Sequence, residues 1–188
     1  MRIIAGDYKG RRLYAPADYR IRPTADKVKE ALFSIIGNDI DGAVVCDLFS
    51  GTGNLGLEAL SRGADKCYFV DNSAESIRLI RDNIEMCRAE DYSVVIHGDF
   101  KRALSQIEQE GETVNVYFLD PPYYKDLWEP AMELIREKDL LAEGGMIVCE
   151  HRKEQELPGQ MAGFEKTKER KYGKVVLSIY VREVSVKY

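Results

Sequence analysis

Residues 44–56 read Val44-Val45-Cys46-Asp47-Leu48-Phe49-Ser50-Gly51-Thr52-Gly53-Asn54-Leu55-Gly56. The apolar run from Val44 to Phe49, broken only by one acid, predicts a strand buried on both faces. Gly51, Gly53 and Gly56 spell G-x-G-x-x-G, and a helix is expected from about Asn54 to Ser61. Lys66 to Asp71 predicts a second strand that ends in a carboxylate. Strand, glycine turn, helix, strand and terminal acid in that order describe the first half of an open α/β sheet built around a nucleotide.

The same alternation continues on the C-terminal side. Helix is expected over Ala74 to Cys87, with Ile77, Ile80, Ile84 and Cys87 at helical spacing, then strand over Tyr92 to His97 and a short helix over Arg102 to Ile107. Val114 to Leu119 predicts a strand, Leu127 to Glu137 a helix and Gly145 to Glu150 a strand. Two last strands, near Phe164 to Arg170 and Val175 to Val184, are joined by a turn at Tyr172-Gly173-Lys174, an antiparallel hairpin. On the N-terminal side, Arg2 to Leu13 predicts a small β-hairpin turning at Asp7 to Gly10. A helix over Ala25 to Ile36 follows, with Thr24 as its N-cap and Gly37 as its stop. The expected class is α/β: a doubly wound, mostly parallel sheet with helices on both faces. It forms one domain, 1–188, with residues 1–37 as an N-terminal hairpin and helix extension and 43–188 as the core.

Glycines let a ligand approach the backbone, and the helix after them presents free N–H groups. Asp71, at the end of the second strand, suits the two hydroxyls of a ribose. These features fit a dinucleotide and S-adenosylmethionine alike, and Asp47 separates them. A carboxylate beside the glycine turn would repel a pyrophosphate, whereas S-adenosylmethionine brings a sulfonium and an ammonium against a single carboxylate. Asp47 could also simply cap the turn. Gly98-Asp99-Phe100 follows the third strand at the same end of the sheet. Asp99 can accept from an adenine amino group with Phe100 against the ring, and Asp99 is equally a good N-cap. Phe49 and Asn72, beside the turn and beside Asp71, complete the candidate cofactor set.

The fourth strand runs directly into Asp120-Pro121-Pro122-Tyr123. Two prolines remove two N–H donors and hold the chain extended, leaving carbonyls to accept. Asp120 adds an acceptor and Tyr123 an aromatic face. Such a clamp matches an aryl amine, whose nitrogen lone pair is delocalised until acceptors on its two hydrogens let it pyramidalise and aim at a methyl group. A base in a helix would have to be flipped out to reach it.

Composition fits these readings. The chain has 188 residues, 45% hydrophobic and 31% charged, with a net charge of −5. The charge is uneven: residues 1–30 hold eight basic and four acidic groups, or +4, leaving 19 basic and 28 acidic groups, or −9, in the rest. A basic end on an acidic body suggests polyanion binding, with a solvated basic hairpin as the plain alternative. Cys46, Cys67, Cys87 and Cys149 lack metal-ligand spacing and are expected reduced and structural, with no metal. No apolar run approaches the length needed to span a bilayer, and the start lacks a signal-peptide pattern, so a cytoplasmic protein is expected.

With these residues in place, the chain resembles amino-methyltransferases carrying an (N/D/S)-P-P-(Y/F/W) motif. More closely, it is similar to the RsmD family, bacterial 16S rRNA guanine-N2 methyltransferases. The resemblance rests on Arg2-Ile3-Ile4-Ala5-Gly6, Lys9-Gly10-Arg11-Arg12-Leu13, Arg22 to Phe33, Asp47 to Gly53, Gly56-Leu57-Glu58-Ala59-Leu60, Asp120 to Tyr123 and Lys171-Tyr172-Gly173. It implies a seven-stranded Rossmann-like methyltransferase sheet with an antiparallel last strand, and S-adenosylmethionine as donor with S-adenosylhomocysteine as product. The substrate it implies is a single guanine of 16S rRNA within an assembled or assembling small subunit, and the protein is expected to be a monomer. By the same resemblance Asp47, Gly51 and Gly53 line the methionine end, Asp71 the ribose and Asp99 the adenine. Asp120, Pro121, Pro122 and Tyr123 hold the amine, and the basic start, with Lys9, Arg11, Arg12 and Arg22, contacts phosphate.

Other readings are distinguishable. An NAD-dependent oxidoreductase would use the glycine turn but leaves Asp120 to Tyr123 unexplained. A non-catalytic RNA-binding module would not need both intact sites. Adenine-N6 and protein glutamine-N5 are also targets of P-P-Y enzymes. A DNA enzyme usually carries a recognition domain for which 188 residues leave no space, and a glutamine enzyme has less use for a basic arm.

Overall fold

The computed structural model describes residues 1–18, 23–122 and 124–184, with only the backbone of Pro23 and Thr24. Among these residues are five α-helices and eight strands: α1 Pro23–Ile36, β1 Val44–Asp47, α2 Asn54–Ser61, β2 Lys66–Asp71, α3 Ala74–Cys87, β3 Ser93–His97, α4 Phe100–Gln109, β4 Val114–Leu119, α5 Trp128–Glu137, β5 Leu141–Arg152, β6 Gln160–Met161, β7 Phe164–Tyr172 and β8 Val175–Arg182. The strands form one sheet in the order β3-β2-β1-β4-β5-β8-β7-β6. β1 to β5 pair in parallel, and β8, β7 and β6 are antiparallel additions. Eight strands stand where seven are expected, because the two-residue β6 pairs with the start of β7. Gln160-Met161 is too short to show a period of two.

The period-two alternation sorts side chains onto two faces. Val45, Phe69, Phe118, Val148 and Leu177 pack beneath α1, α2 and α3. Cys46, Tyr68, Leu119, Cys149 and Tyr180 pack against α4 and α5. Each large side chain fully buried in this way contributes about 1.5–3 kcal/mol. Phe33 of α1 meets Phe118 of β4 at 5.7 Å between ring centroids, which fixes the N-terminal helix over the middle of the sheet.

The N-terminal segment differs from its expected form. A single antiparallel bridge, Arg2 to Arg12, replaces two full strands. It is supported by Ile3 N–H to Arg11 O, Gly10 N–H to Ile3 O and Leu13 N–H to Met1 O. The other side of this hairpin binds α2 instead of a sheet: Ile4 and Ala5 N–H donate to the Glu58 carboxylate, and Asp7 N–H to Ser61 O. Gly6 has φ +84°, and a Cβ there would lie 1.8 Å from Ser61 O, so only glycine permits the approach. Helix α1 begins at Pro23, a favoured first helical position, so Thr24 lies inside the first turn rather than capping it. Helix α4 starts at Phe100, two residues earlier than expected, because the Asp99 side chain accepts from Arg102 N–H at its N-cap.

Sheet order positions the site. From β1 the chain builds outward through β2 and β3, then returns to the opposite side of β1 with β4. The crevice at the carboxyl ends of β1 and β4 is the topological switch point, where open α/β sheets bind ligands.

Candidate active site

The glycine turn is tied into the sheet. Ser50 N–H donates to Val70 O of β2, and Gly53 N–H closes the turn on Ser50 O. Gly51 and Gly53 have φ of +61° and +84°, the left-handed region that favours glycine. The third glycine has a packing role: a Cβ on Gly56 would stand 2.4 Å from Phe69 Cε1 and 2.7 Å from Cys67 Sγ. A Cβ on Gly51 would meet nothing within 4 Å, so the turn is open on its outer side.

Asp47 ends β1 with only 2% of its surface exposed. Its Oδ2 accepts from Gly56 N–H at 3.1 Å and from the Ser50 hydroxyl at 3.0 Å. Oδ2 thus caps the turn, while Oδ1 has no protein hydrogen bond among the described residues. Burial pushes the Asp47 carboxyl up to about 7, against the two hydrogen bonds, with the charges of Asp71 and Glu150 adding to the rise. Asp71, half-buried at the end of β2, accepts from Gly51 N–H through Oδ2 and from Ser73 N–H through Oδ1, both at 2.9 Å. The ribose-type acid thus also braces the turn and the entry to α3.

Asp99 is exposed, and its Oδ1 is committed to the α4 cap. Phe100, expected against the adenine ring, is the first residue of α4. It packs in the α4 and α5 face with 7% of its surface exposed, 6.1 Å from the half-buried Phe49. Asn72 is exposed, and its carbonyl lies 3.3 Å from His97 Nε2.

Across the switch point, Asp120 follows the last residue of β4. Burial drives its carboxyl well above the ordinary range, and the charges of Glu150 and then Asp47 push it further. Pro121 is buried and Pro122 exposed. The carbonyls do not all stay free as expected: Pro122 O accepts from Lys125 N–H at 3.1 Å, closing a turn. Tyr123 lies outside the described residues. Its neighbour Tyr124 is 83% exposed, with Lys125 Nζ 5.9 Å from the ring centroid.

The basic arm is partly structural. Lys9 and Arg12 are exposed. Arg11 lies over the Tyr8 ring at 5.3 Å and donates to Met86 O of α3. Arg22 lies outside the described residues. Lys29, counted in the basic end by sequence, is 3% exposed and paired with Glu58, so it faces no phosphate.

Sequence reading missed Asn83 and Glu150. Asn83, fully buried on α3, bonds both the N–H and C=O of Tyr14 and donates to Thr52 O in the glycine turn. It holds the N-terminal segment against the glycine turn. Glu150, near the end of β5, joins Asp47 and Asp120 at the switch point. All four cysteines are buried and unpaired. Among the described residues no group of ligating side chains could hold a metal, and no helix is long and apolar enough to cross a membrane.

Known proteins match over nearly the whole chain. A family model described as Conserved hypothetical protein 95 covers residues 1–181. YlbH of Bacillus subtilis is 40% identical over 96% of this chain and 98% of its own length. Ribosomal RNA small subunit methyltransferase D of Escherichia coli K12 is 35% identical over 97% of this chain and 90% of its own. The solved structure of yhhF from Escherichia coli superposes with a TM-score of 0.83 at 33% identity, covering 97% of this chain and 98% of that one. Family model and relatives agree over nearly the whole chain, and the chain belongs to the RsmD family, whose model bears the description Conserved hypothetical protein 95.

Proposed function

We propose that the chain methylates the exocyclic N2 amine of one guanine in small-subunit ribosomal RNA, with S-adenosylmethionine as donor. The observation that carries this reading is the placement of Asp120-Pro121-Pro122 directly across the switch point from the glycine turn. Relatives named as small-subunit rRNA methyltransferases support the RNA substrate.

The residues present fit the donor. The outer side of Gly51 is open, Oδ1 of Asp47 lacks a protein partner among the described residues, and Asp71 stands at the neighbouring strand end. Asp47 and the turn would hold the methionine end, Asp71 the ribose and Asp99 the adenine amino group. When bound, S-adenosylmethionine supplies a sulfonium methyl, an electrophile needing no acid catalyst.

The protein's own task is to prepare the amine. Asp120 accepts one amine hydrogen and a carbonyl of the proline pair accepts the other. This withdraws the nitrogen lone pair from the ring and aims it. With the donor bound, the amine nitrogen would gain positive charge as it takes the methyl group, the C–S bonding pair remaining with sulfur. Asp120 stabilises that charge and takes the proton the amine then loses. The exposed Lys9 and Arg12 contact phosphate, and the substrate is an assembled or assembling small subunit.

The test is tritiated methyl transfer to small subunits purified from cells lacking the enzyme, followed by nucleoside analysis. Label in N2-methylguanosine is expected. Label in N6-methyladenosine overturns the proposal.

A further inference from the structure

Glu150 is an acid for which the cofactor site and the amine clamp provide no role. The last β4–β5 pair is Leu119 with Cys149, so the next residue of each strand sets Asp120 beside Glu150. Neighbouring strands lie about 4.8 Å apart. Alternation returns both side chains to the face of Phe118 and Val148, the face that Asp47 also shares with Val45. The Glu150 backbone is fixed, because its carbonyl accepts from Trp128 Nε1 and the residue pairs with Leu177 of β8.

Glu150 is half-buried, and its carboxylate has no side-chain hydrogen bond or ion pair among the described residues. Groups facing it are Asp120 on β4 and Asp47 beyond it on β1. On the other side β8 presents Leu177, and the exposed Arg170 lies opposite Leu177 on β7. Over this face α1 presents Phe33, while its buried Lys29 is committed to Glu58. Burial pushes the Glu150 carboxyl up to about 7. A half-buried acceptor beside the amine clamp, without a partner among the described residues, is placed to receive a donor from the substrate.

The chemistry of the target base identifies that donor. Next to its exocyclic amine, guanine carries N1–H, a second donor on the same edge. Adenine carries a bare N1 lone pair beside its amine. A carboxylate is acceptor-only, so beside the amine clamp it welcomes N1–H and repels a lone pair. Asp120 and Glu150 side by side therefore present two acceptors to two adjacent donors. Resting on the guanine-amine reading above, we infer that Glu150 is the specificity-determining residue of the base pocket, accepting the N1–H of the target guanine while Asp120 accepts from its N2 amine.

2-Aminopurine tests this directly, because it keeps an amine at C2 but replaces N1–H with a lone pair. Small subunits would be reconstituted with guanosine or 2-aminopurine at the methylated position. The wild-type protein is expected to prefer guanosine by about ten- to a hundred-fold in kcat/KM. Glu150→Gln, whose amide can turn either a C=O or an N–H toward N1, should lose most of that preference. The acid limb of its rate profile should also move to lower pH, since the charge that raises Asp120 is gone. Binding of S-adenosylhomocysteine reports that the variant is folded. Unchanged preference and unchanged pH profile in Glu150→Gln would overturn the inference. So would loss of activity on both RNAs with S-adenosylhomocysteine binding intact. Wild-type label in N6-methyladenosine would instead sink the guanine-amine reading, so the two failures are distinguishable.

Discussion

Lys29 Nζ lies 3.1 Å from Glu58 Oε1, an ion pair whose side chains are 3% and 0% exposed. The pair is fully hydrogen-bonded. Lys29 also donates to Arg2 O and Asn54 Oδ1, and Glu58 also accepts from Ile4 N–H, Ala5 N–H and Arg62 Nε. One cluster thus joins the N-terminal segment, α1 and the first residue of α2. Breaking such a pair from one side leaves a buried charge and costs about 3–5 kcal/mol. Glu58→Ala, which strands Lys29 and two backbone N–H groups, should lower stability by that amount in urea denaturation. A loss within the error of the measurement would show that the cluster is dispensable.

Gly56→Ala should act on a different joint. The added Cβ would press into Phe69 and Cys67, forcing α2 away from β2. Overpacking of this kind costs about 1–3 kcal/mol. Because Gly56 N–H also holds Asp47 Oδ2, weaker S-adenosylhomocysteine binding should accompany the stability loss. Gly51→Ala meets no neighbour and carries only the strain of its positive φ, so its stability loss should be the smaller of the two. Thermal denaturation of both variants, with a ligand titration, separates the effects.

These two joints show what was readable from sequence. The parallel core was legible because Val44–Asp47, Lys66–Asp71 and Val114–Leu119 are short apolar runs bounded by turn residues and spaced by amphipathic helices. The glycine turn and Asp120-Pro121-Pro122 were legible because their chemistry is local. Glu58, Asn83 and Glu150 were not, because each takes its meaning from a partner far along the chain: Glu58 from Ile4, Asn83 from Tyr14, Glu150 from Asp120. Lys29 entered the charge sum of residues 1–30 although it is buried, because charge counts carry no information about burial. The N-terminal hairpin was overdrawn as two strands because the edge of residues 4–8 satisfies its backbone groups on α2, which no alternation pattern reveals.

Asp47 should couple donor binding to protons. Its carboxyl is raised to about 7 by burial, against an ordinary value near 3.9. The neutral form is therefore favoured in the folded protein, so Asp47 contributes stability below about pH 4 that is lost as pH rises through 7. A cationic ligand reverses the preference by stabilising the carboxylate. S-adenosylmethionine binding at pH 6 should release a proton, and affinity should rise as pH increases toward 8. Calorimetry in two buffers of different ionisation enthalpy measures the release. Asp47→Asn keeps an acceptor for Gly56 and Ser50 but removes the charge. It should abolish the release and weaken binding by about ten- to a hundred-fold, the loss of one charge-assisted hydrogen bond. Proton release that persists in Asp47→Asn would assign it to another group.

Asp120 should separate chemistry from binding. It lies across the switch point from the donor residues, so its side chain should matter to the amine and little to S-adenosylhomocysteine. Asp120→Asn retains one acceptor oxygen but removes the negative charge and adds a donor facing the amine hydrogens. It should lower kcat by about a hundred- to a thousand-fold, as loss of one transition-state contact does elsewhere, with S-adenosylhomocysteine affinity within about two-fold of wild type. The pH dependence adds an independent check. Burial and the charges of Glu150 and Asp47 hold the Asp120 carboxyl well above its ordinary range. The wild-type rate should therefore climb with pH as the carboxylate forms, with a midpoint above that of an exposed aspartate. In Asp120→Asn that climb should flatten. A variant with full activity and the wild-type pH profile would remove Asp120 from the amine clamp and leave the proline carbonyls as its acceptors.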